Sequence, residues 1–266
     1  MEKTIFKAFT FMFKEQDWKS KFFILALLSF PNYLAVYLAG KFSGLRIDNV
    51  PILLCFAIIL SVIVVVTLLF IEGYCNKCSQ KVINMAENTE GLLPQWKNNF
   101  WCFFKIGFSF YVAIFIALAA VMGVVFFAAT ASSVAKLIWP VIILCVLTLL
   151  IIFLYAFCYV ALRANFCTNF KVSSMFAFKK AKKIIFYDFF HYLSVAIIIL
   201  SLSIALGDFL QATEACPYIF LLLSPIINAY IFLVFAYLRG TLFPVPAQEF
   251  FEPTKTENDS LTLTDP

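Results

Sequence analysis

Cys75-Asn76-Lys77-Cys78 is a C-x-x-C, a spacing that can hold zinc or cycle between thiol and disulfide. A zinc site of this kind needs a second pair at matching spacing, and a redox motif needs a strand–helix context; the sequence offers neither. On a helix both cysteines share a face with Val82 and Met85, with Asn76, Lys77, Gln80 and Lys81 turned elsewhere, so the pattern favours packing. His191 is the one histidine, which excludes the two-histidine zinc helix H-E-x-x-H and any chemistry built on paired histidines. It stands among Phe189, Phe190 and Tyr192 and reads as an interfacial packing residue. No G-x-x-x-x-G-K-[ST] loop is present for nucleotide phosphates. Glu72, Glu87, Glu90, Asp17, Asp188 and Glu252 are scattered, with no spacing that pairs two carboxylates beside a nucleophile, and they read as solvated charges. No catalytic residue, cofactor or metal ligand is expected, and neither is an enzyme.

The elements that carry these residues are set by composition. Of the 266 residues 63% are hydrophobic and 13% charged, with a mean hydropathy of +0.95. A soluble domain is nearer half apolar and one quarter charged, so lipid must cover the excess. Six stretches without Asp, Glu, Lys or Arg qualify as spans: 22–39, 51–71, 106–129, 137–162, 190–207 and 217–238. Runs such as 58–70 and 142–157 do not alternate as barrel strands would. The expected fold is an all-α bundle of about six transmembrane helices with two interfacial amphipathic helices. A single integral membrane domain covers 1–243, and a polar, acidic, Pro-containing tail over 244–266 is expected to be disordered.

Basic residues choose the orientation. Seventeen fall in the amino-terminal segment, the second and fourth connections and the tail, against Lys41, Arg46 and Lys136 on the other side. That asymmetry predicts a multi-pass protein of a prokaryotic cytoplasmic membrane with both termini cytoplasmic. The first span lacks a small-x-small site at its end and reads as retained. Cys55, Cys145 and Cys158 lie in apolar runs and Cys216 alone is external, so a disulfide framework is not expected.

The two longer cytoplasmic connections look alike. Each begins after a span-ending tyrosine, Tyr74 or Tyr159, and each ends in an aromatic run, 100–104 or 186–192. Between these lie the Cys75–Met85 segment and a second with Phe176, Phe178, Ile184 and Ile185 beside Lys179, Lys180, Lys182 and Lys183. Both read as helices at headgroup level, with the lysines meeting anionic lipid. Pro94 breaks the helix, and Trp96 is placed to anchor the chain at the interface as it turns back. Partners are therefore the bilayer and its anionic headgroups, with a membrane or cytoplasmic protein as a further candidate, and no nucleic acid.

Phe13-Lys14-Glu15-Gln16-Asp17-Trp18, then Gly73-Tyr74, Gly91-Leu92-Leu93-Pro94-Gln95-Trp96, Gly107 and Ser173-Ser174-Met175-Phe176-Ala177-Phe178 resemble a prokaryotic membrane family, the domain-of-unknown-function family 4013. The resemblance covers roughly residues 9 to 240, the span-bearing part of the chain. It departs at Cys75 and Asn76, where that family more usually has basic residues, and in a longer opening pair of spans. It implies a polytopic bacterial or archaeal protein and no biochemical activity.

A second function class remains. Ser29-Phe30-Pro31-Asn32 in span one and Ser224-Pro225-Ile226-Ile227-Asn228 in span six are the pattern of proline-broken helices that line transport sites. Asn32, Asn228 and Tyr33 would be the substrate contacts of a small-solute permease or exporter. The first reading is a non-catalytic membrane module with a basic cytoplasmic face.

Overall fold

A computed structural model describes residues 5–15, 17–42, 50–84, 91–97, 99–135, 138–213 and 216–251. Among them every regular element is helical. Six long helices are α1 (Trp18–Phe42), α2 (Val50–Ile83), α3 (Phe100–Ala135), α4 (Ile138–Asn169), α6 (Phe189–Thr213) and α7 (Pro217–Thr241). The short α5 (Phe178–Tyr187) and α8 (Ala247–Phe251) join them, with 3-10 turns at Ile5–Phe9, Phe11–Lys14 and Val172–Phe176. The chain is an all-α helical membrane bundle. Helices α1, α2, α3, α6 and α7 are long and apolar enough over their described residues to cross a bilayer. The 32-residue α4 contains most of the charge-free stretch 137–162.

Four helices run well past their charge-free stretches at the lysine-bearing end: α2 by twelve residues, α4 by seven, α7 by three, and α3 by six at its start. At 1.5 Å per residue the α2 extension alone rises about 18 Å beyond the last apolar residue of the span. The first amphipathic segment is therefore not a separate helix. It is the last three turns of α2, and its face of Cys75, Cys78 and Val82 is buried inside the bundle. Met85 lies outside the described residues. The second segment is α5, which buries Ala181, Ile184 and Ile185 and leaves its lysines in the open.

Two glycines explain how α2 and α3 approach. They run antiparallel, and a Cβ on Gly73 would collide with the backbone carbonyl of Phe103, as one on Gly107 would with that of Leu69. Each pair is offset by four residues, one helical turn, so the backbones touch twice along the same seam. Gly240 on α7 likewise abuts the side chain of Val82. Helix α7 is the axle of this end: every residue from Leu233 to Phe243 is buried. The amino-terminal turns cover it, with Phe11 against Tyr237 at 4.7 Å and the Tyr230 hydroxyl donating to the Phe9 carbonyl at 2.9 Å.

Two expectations are corrected in detail. Both α1 and α7 run unbroken across Pro31 and Pro225, so the Pro-Asn pairs sit in continuous helices. Order also extends past Pro244: Phe250 of α8 is buried, edge-on to Phe243 and Tyr187. Residues 252–266, the rest of the expected disordered tail, lie outside the described residues, as do Arg46, Lys136, Glu87 and Glu90.

Candidate functional site

Of the charges that read as scattered in the sequence, Glu72 is brought beside two of the basic residues that set the orientation. Glu72, Arg163 and Arg239 are each the first charged residue after a charge-free span, and the parallel α2, α4 and α7 bring them to one end. The Arg163 guanidinium is an ion pair with Glu72. Its Nε faces Asn76 Oδ1 at 3.5 Å, its Nη1 the Tyr159 hydroxyl at 3.4 Å, and its plane lies 4.4 Å from the Phe110 ring centre. Arg239, 3% exposed, donates from Nε and Nη2 to Ser79 Oγ, both at 3.3 Å. Ser79 in turn donates to the Ala236 carbonyl at 2.9 Å. Cys167 Sγ donates to Asn76 Oδ1 at 3.6 Å, and Gln80 Nε2 to the Thr168 carbonyl at 3.1 Å. The expectation that Glu72 is solvated is thus replaced by a buried, paired carboxylate.

A second polar knot holds the Leu93-Pro94 turn. Glu15 accepts the Leu93 N–H at 3.0 Å, Lys21 donates to the Leu93 carbonyl at 3.1 Å, and the two side chains pair at 3.4 Å. Residues 15 and 21 thus satisfy both backbone groups of one buried residue. Trp96 does not only turn outward at an interface: it is half-buried, its ring stacked on Tyr74 at 4.3 Å and 5°, with Nε1 donating to the Lys21 carbonyl.

These groups tie α2, α4 and α7 to one another. A guanidinium stays charged at any physiological pH, so neither arginine can shuttle protons. Burial pushes the Cys167 thiol up, away from the thiolate that would be a nucleophile. Cys75 and Cys78 are 2% and 0% exposed and face the core. Among the described residues no three His, Cys, Asp or Glu side chains are grouped to hold a metal ion. His191 reaches the Thr241 carbonyl at 3.1 Å, and its backbone N–H caps α6 through Asp188 Oδ1 at 3.0 Å.

The lysines of α5 are placed differently. Lys179, Lys180, Lys182 and Lys183 are all exposed, on a helix whose other face is buried. Lys180 sits 4.7 Å from the Phe251 ring centre and Lys183 donates to the Phe250 carbonyl. Beside them Phe186, Tyr187, Phe189 and Phe190 are exposed. Of the candidate transport residues, Tyr33 packs edge-on to Phe220 at 5.7 Å, tying α1 to α7, and Asn228 is buried. Asn32 Oδ1 and Ser224 Oγ are buried without a hydrogen-bond partner.

A family model described as a protein of unknown function, DUF4013, matches residues 56–212, more than half of the chain, and the chain belongs to that family. The matched region contains Gly73-Tyr74, Leu93-Pro94-Gln95-Trp96 and Gly107 and leaves out the Phe13–Trp18 entry. No curated protein and no solved structure matches the chain.

Proposed function

We propose that this chain is a non-catalytic module of a prokaryotic cytoplasmic membrane whose lysine-rich end, with both termini, faces the cytoplasm and binds anionic lipid headgroups. The observation that carries the reading is α5: four exposed lysines on a helix anchored by Ala181, Ile184 and Ile185, bordered by exposed aromatics. Lysines near an anionic surface contribute about 1 kcal/mol each, and aromatic rings favour the headgroup layer. The Glu72–Arg163 ion pair and the buried Arg239 support a structural rather than a catalytic interior.

The test changes Lys179, Lys180, Lys182 and Lys183 to Gln together and measures phosphatidylglycerol retained by purified protein in native mass spectrometry. Retention should fall by at least tenfold, from the per-lysine energy above; equal retention contradicts the reading, and a cytoplasmic protein that co-purifies only through these lysines would replace lipid as the partner. Orientation is tested separately in intact cells. An impermeant maleimide should label Cys216, and should reach a Lys180→Cys variant at that site only after permeabilisation. Turnover of any lipid or phosphate ester by the purified protein would overturn the non-catalytic assignment.

A permease is the second reading, favoured by the unpartnered Asn32 Oδ1 and Ser224 Oγ in helices α1 and α7. A buried polar atom without a partner costs about 1–3 kcal/mol, and a substrate is one way to supply it. Asn32→Leu and Asn228→Leu should abolish solute flux in proteoliposomes if the reading holds. A scaffold would show no specific flux before or after the change and would keep or gain stability.

A further inference from the structure

Helices α1 and α7 leave between them a groove of about 450 Å³, with Phe23, Leu27, Phe30 and Leu222 in its walls and Ala26 and Pro225 in its floor. The floor is buried, whereas Phe23 and Leu222 are each 67% exposed. Among its lining side chains the Tyr218 hydroxyl is the one polar group. The groove begins where the hydrocarbon does. Phe22 opens the charge-free stretch 22–39, and the α1 wall from Phe22 to Phe30 rises about 12 Å. Half of a bilayer's hydrocarbon core is about 15 Å deep. The α1 wall thus runs for nearly one leaflet, counted from the lysine-bearing end. Just beyond its mouth stands Lys19, exposed and one helical turn before Phe23, hence on the same face of α1. Lys14, also exposed, ends the 3-10 turn that leads into α1. The exposed Asp17 is two positions from Lys19, a spacing that turns the two apart. Lys21 and Glu15 are already held by each other and by Leu93.

We propose that this groove is a site for one anionic glycerophospholipid, with an acyl chain between α1 and α7 and the headgroup phosphate at Lys19. A groove so poor in hydrogen-bonding groups stays dry, and left empty it forfeits dispersion contacts along its lining. An acyl chain supplies those contacts. Lipid tails are as apolar as the helices themselves, so burial alone does not favour this place over the rest of the bilayer. Shape and charge make the difference: a buried floor of small rings and methyl groups between large walls, and a cation one turn outside the mouth that draws a negative headgroup. The lysines of α5 take no part, so this site goes beyond the face assigned above and stands or falls apart from it.

The test places the full chain in nanodiscs containing phosphatidylglycerol or phosphatidylcholine with a photoactivatable diazirine at mid-chain, and maps the adducts by peptide mass spectrometry. Adducts should be denser on 22–30 and 218–226 than on the exposed positions of α3 and α6. Leu27→Trp combined with Leu222→Trp fills the groove from its exposed walls and should lower those adducts at least about threefold. Ile59→Trp adds similar bulk at an exposed position of α2 outside the groove and should leave them unchanged. Lys19→Gln should lower phosphatidylglycerol labelling of the groove about fivefold and leave phosphatidylcholine labelling as it was. The variant with Gln at all four α5 lysines should keep the groove labelling, so failure of either lipid site leaves the other standing. Even labelling of all exposed helices, labelling insensitive to the paired Trp change, or an equal effect of Lys19→Gln on both lipids would overturn the inference. So would a dimer cross-linked through α1 and α7 that the paired Trp change abolishes, since a second copy would then fill the groove.

Discussion

Helix α2 passes through both halves of the molecule, and its surroundings change within one turn. From Leu54 to Val66 nearly every side chain is exposed, including Ile58 at 56% and Ile59 at 60%, whereas Leu69 to Ile83 is buried apart from half-buried Lys77, Gln80 and Lys81. The same contrast holds on α3, where Phe103, Ile106 and Phe110 are buried and Phe115, Leu118 and Met122 are exposed. One half is thus packed protein with charges inside it. The other is a set of helices whose apolar surface no other described part of the chain covers. Hydrophobicity alone therefore does not locate the core of this protein: the most apolar residues face outward, and tight packing begins where charges appear.

Several substitutions sharpen or break that contrast. The largest effect is expected for Glu72→Ala, which leaves Arg163, its side chain 13% exposed, without its carboxylate and should cost about 3–5 kcal/mol in reversible SDS unfolding. Glu72→Leu combined with Arg163→Met should recover most of that loss, because two apolar groups leave no unpaired charge. If the double substitution is as damaging as the single one, the pair does more than neutralise itself. Next come Gly73→Ala and Gly107→Ala, each placing a methyl group against a backbone carbonyl and costing about 1–3 kcal/mol through forced separation of α2 and α3. Their counterparts in the other half, Gly123 and Gly207, have nothing within 4 Å of the place a methyl group would take. Alanine there should leave unfolding free energy unchanged or raise it by up to about 1 kcal/mol of helix propensity. Glu15→Gln is expected to cost about 1–2 kcal/mol, since it weakens the clamp on Leu93 while an amide oxygen still accepts the N–H. Limited proteolysis near Gly91 should quicken in that variant.

The spans are legible in the sequence because charge-free runs of sufficient length have no other stable use, and the positions of Phe22, Ile106 and Pro217 within long helices follow from that alone. Gly73 and Gly107 are legible as motif residues but not as contacts, because the collision partner of each is a backbone atom on another helix. Arg163 and Glu72 lie 91 positions apart, and nothing local distinguishes a charge that ends a span in water from one that ends it against another helix. The signal that does exist is positional: Glu72, Arg163 and Arg239 each follow a span directly, on helices of the same direction. The amphipathic turns at Cys75–Val82 read as a face toward lipid because periodicity gives the apolar side of a helix without saying what covers it.

An alanine scan along α2, read as unfolding free energy of the detergent-solubilised protein, tests the two-part organisation most directly. Substitutions at Leu69, Phe70, Ile71, Tyr74, Val82 and Ile83 should cost about 2–5 kcal/mol each, and those at Ile58, Ile59, Val62 and Ile63 should stay within about 0.5 kcal/mol. The profile is predicted to step up between Val66 and Leu69. A flat profile, or one highest at 58–63, would contradict the account.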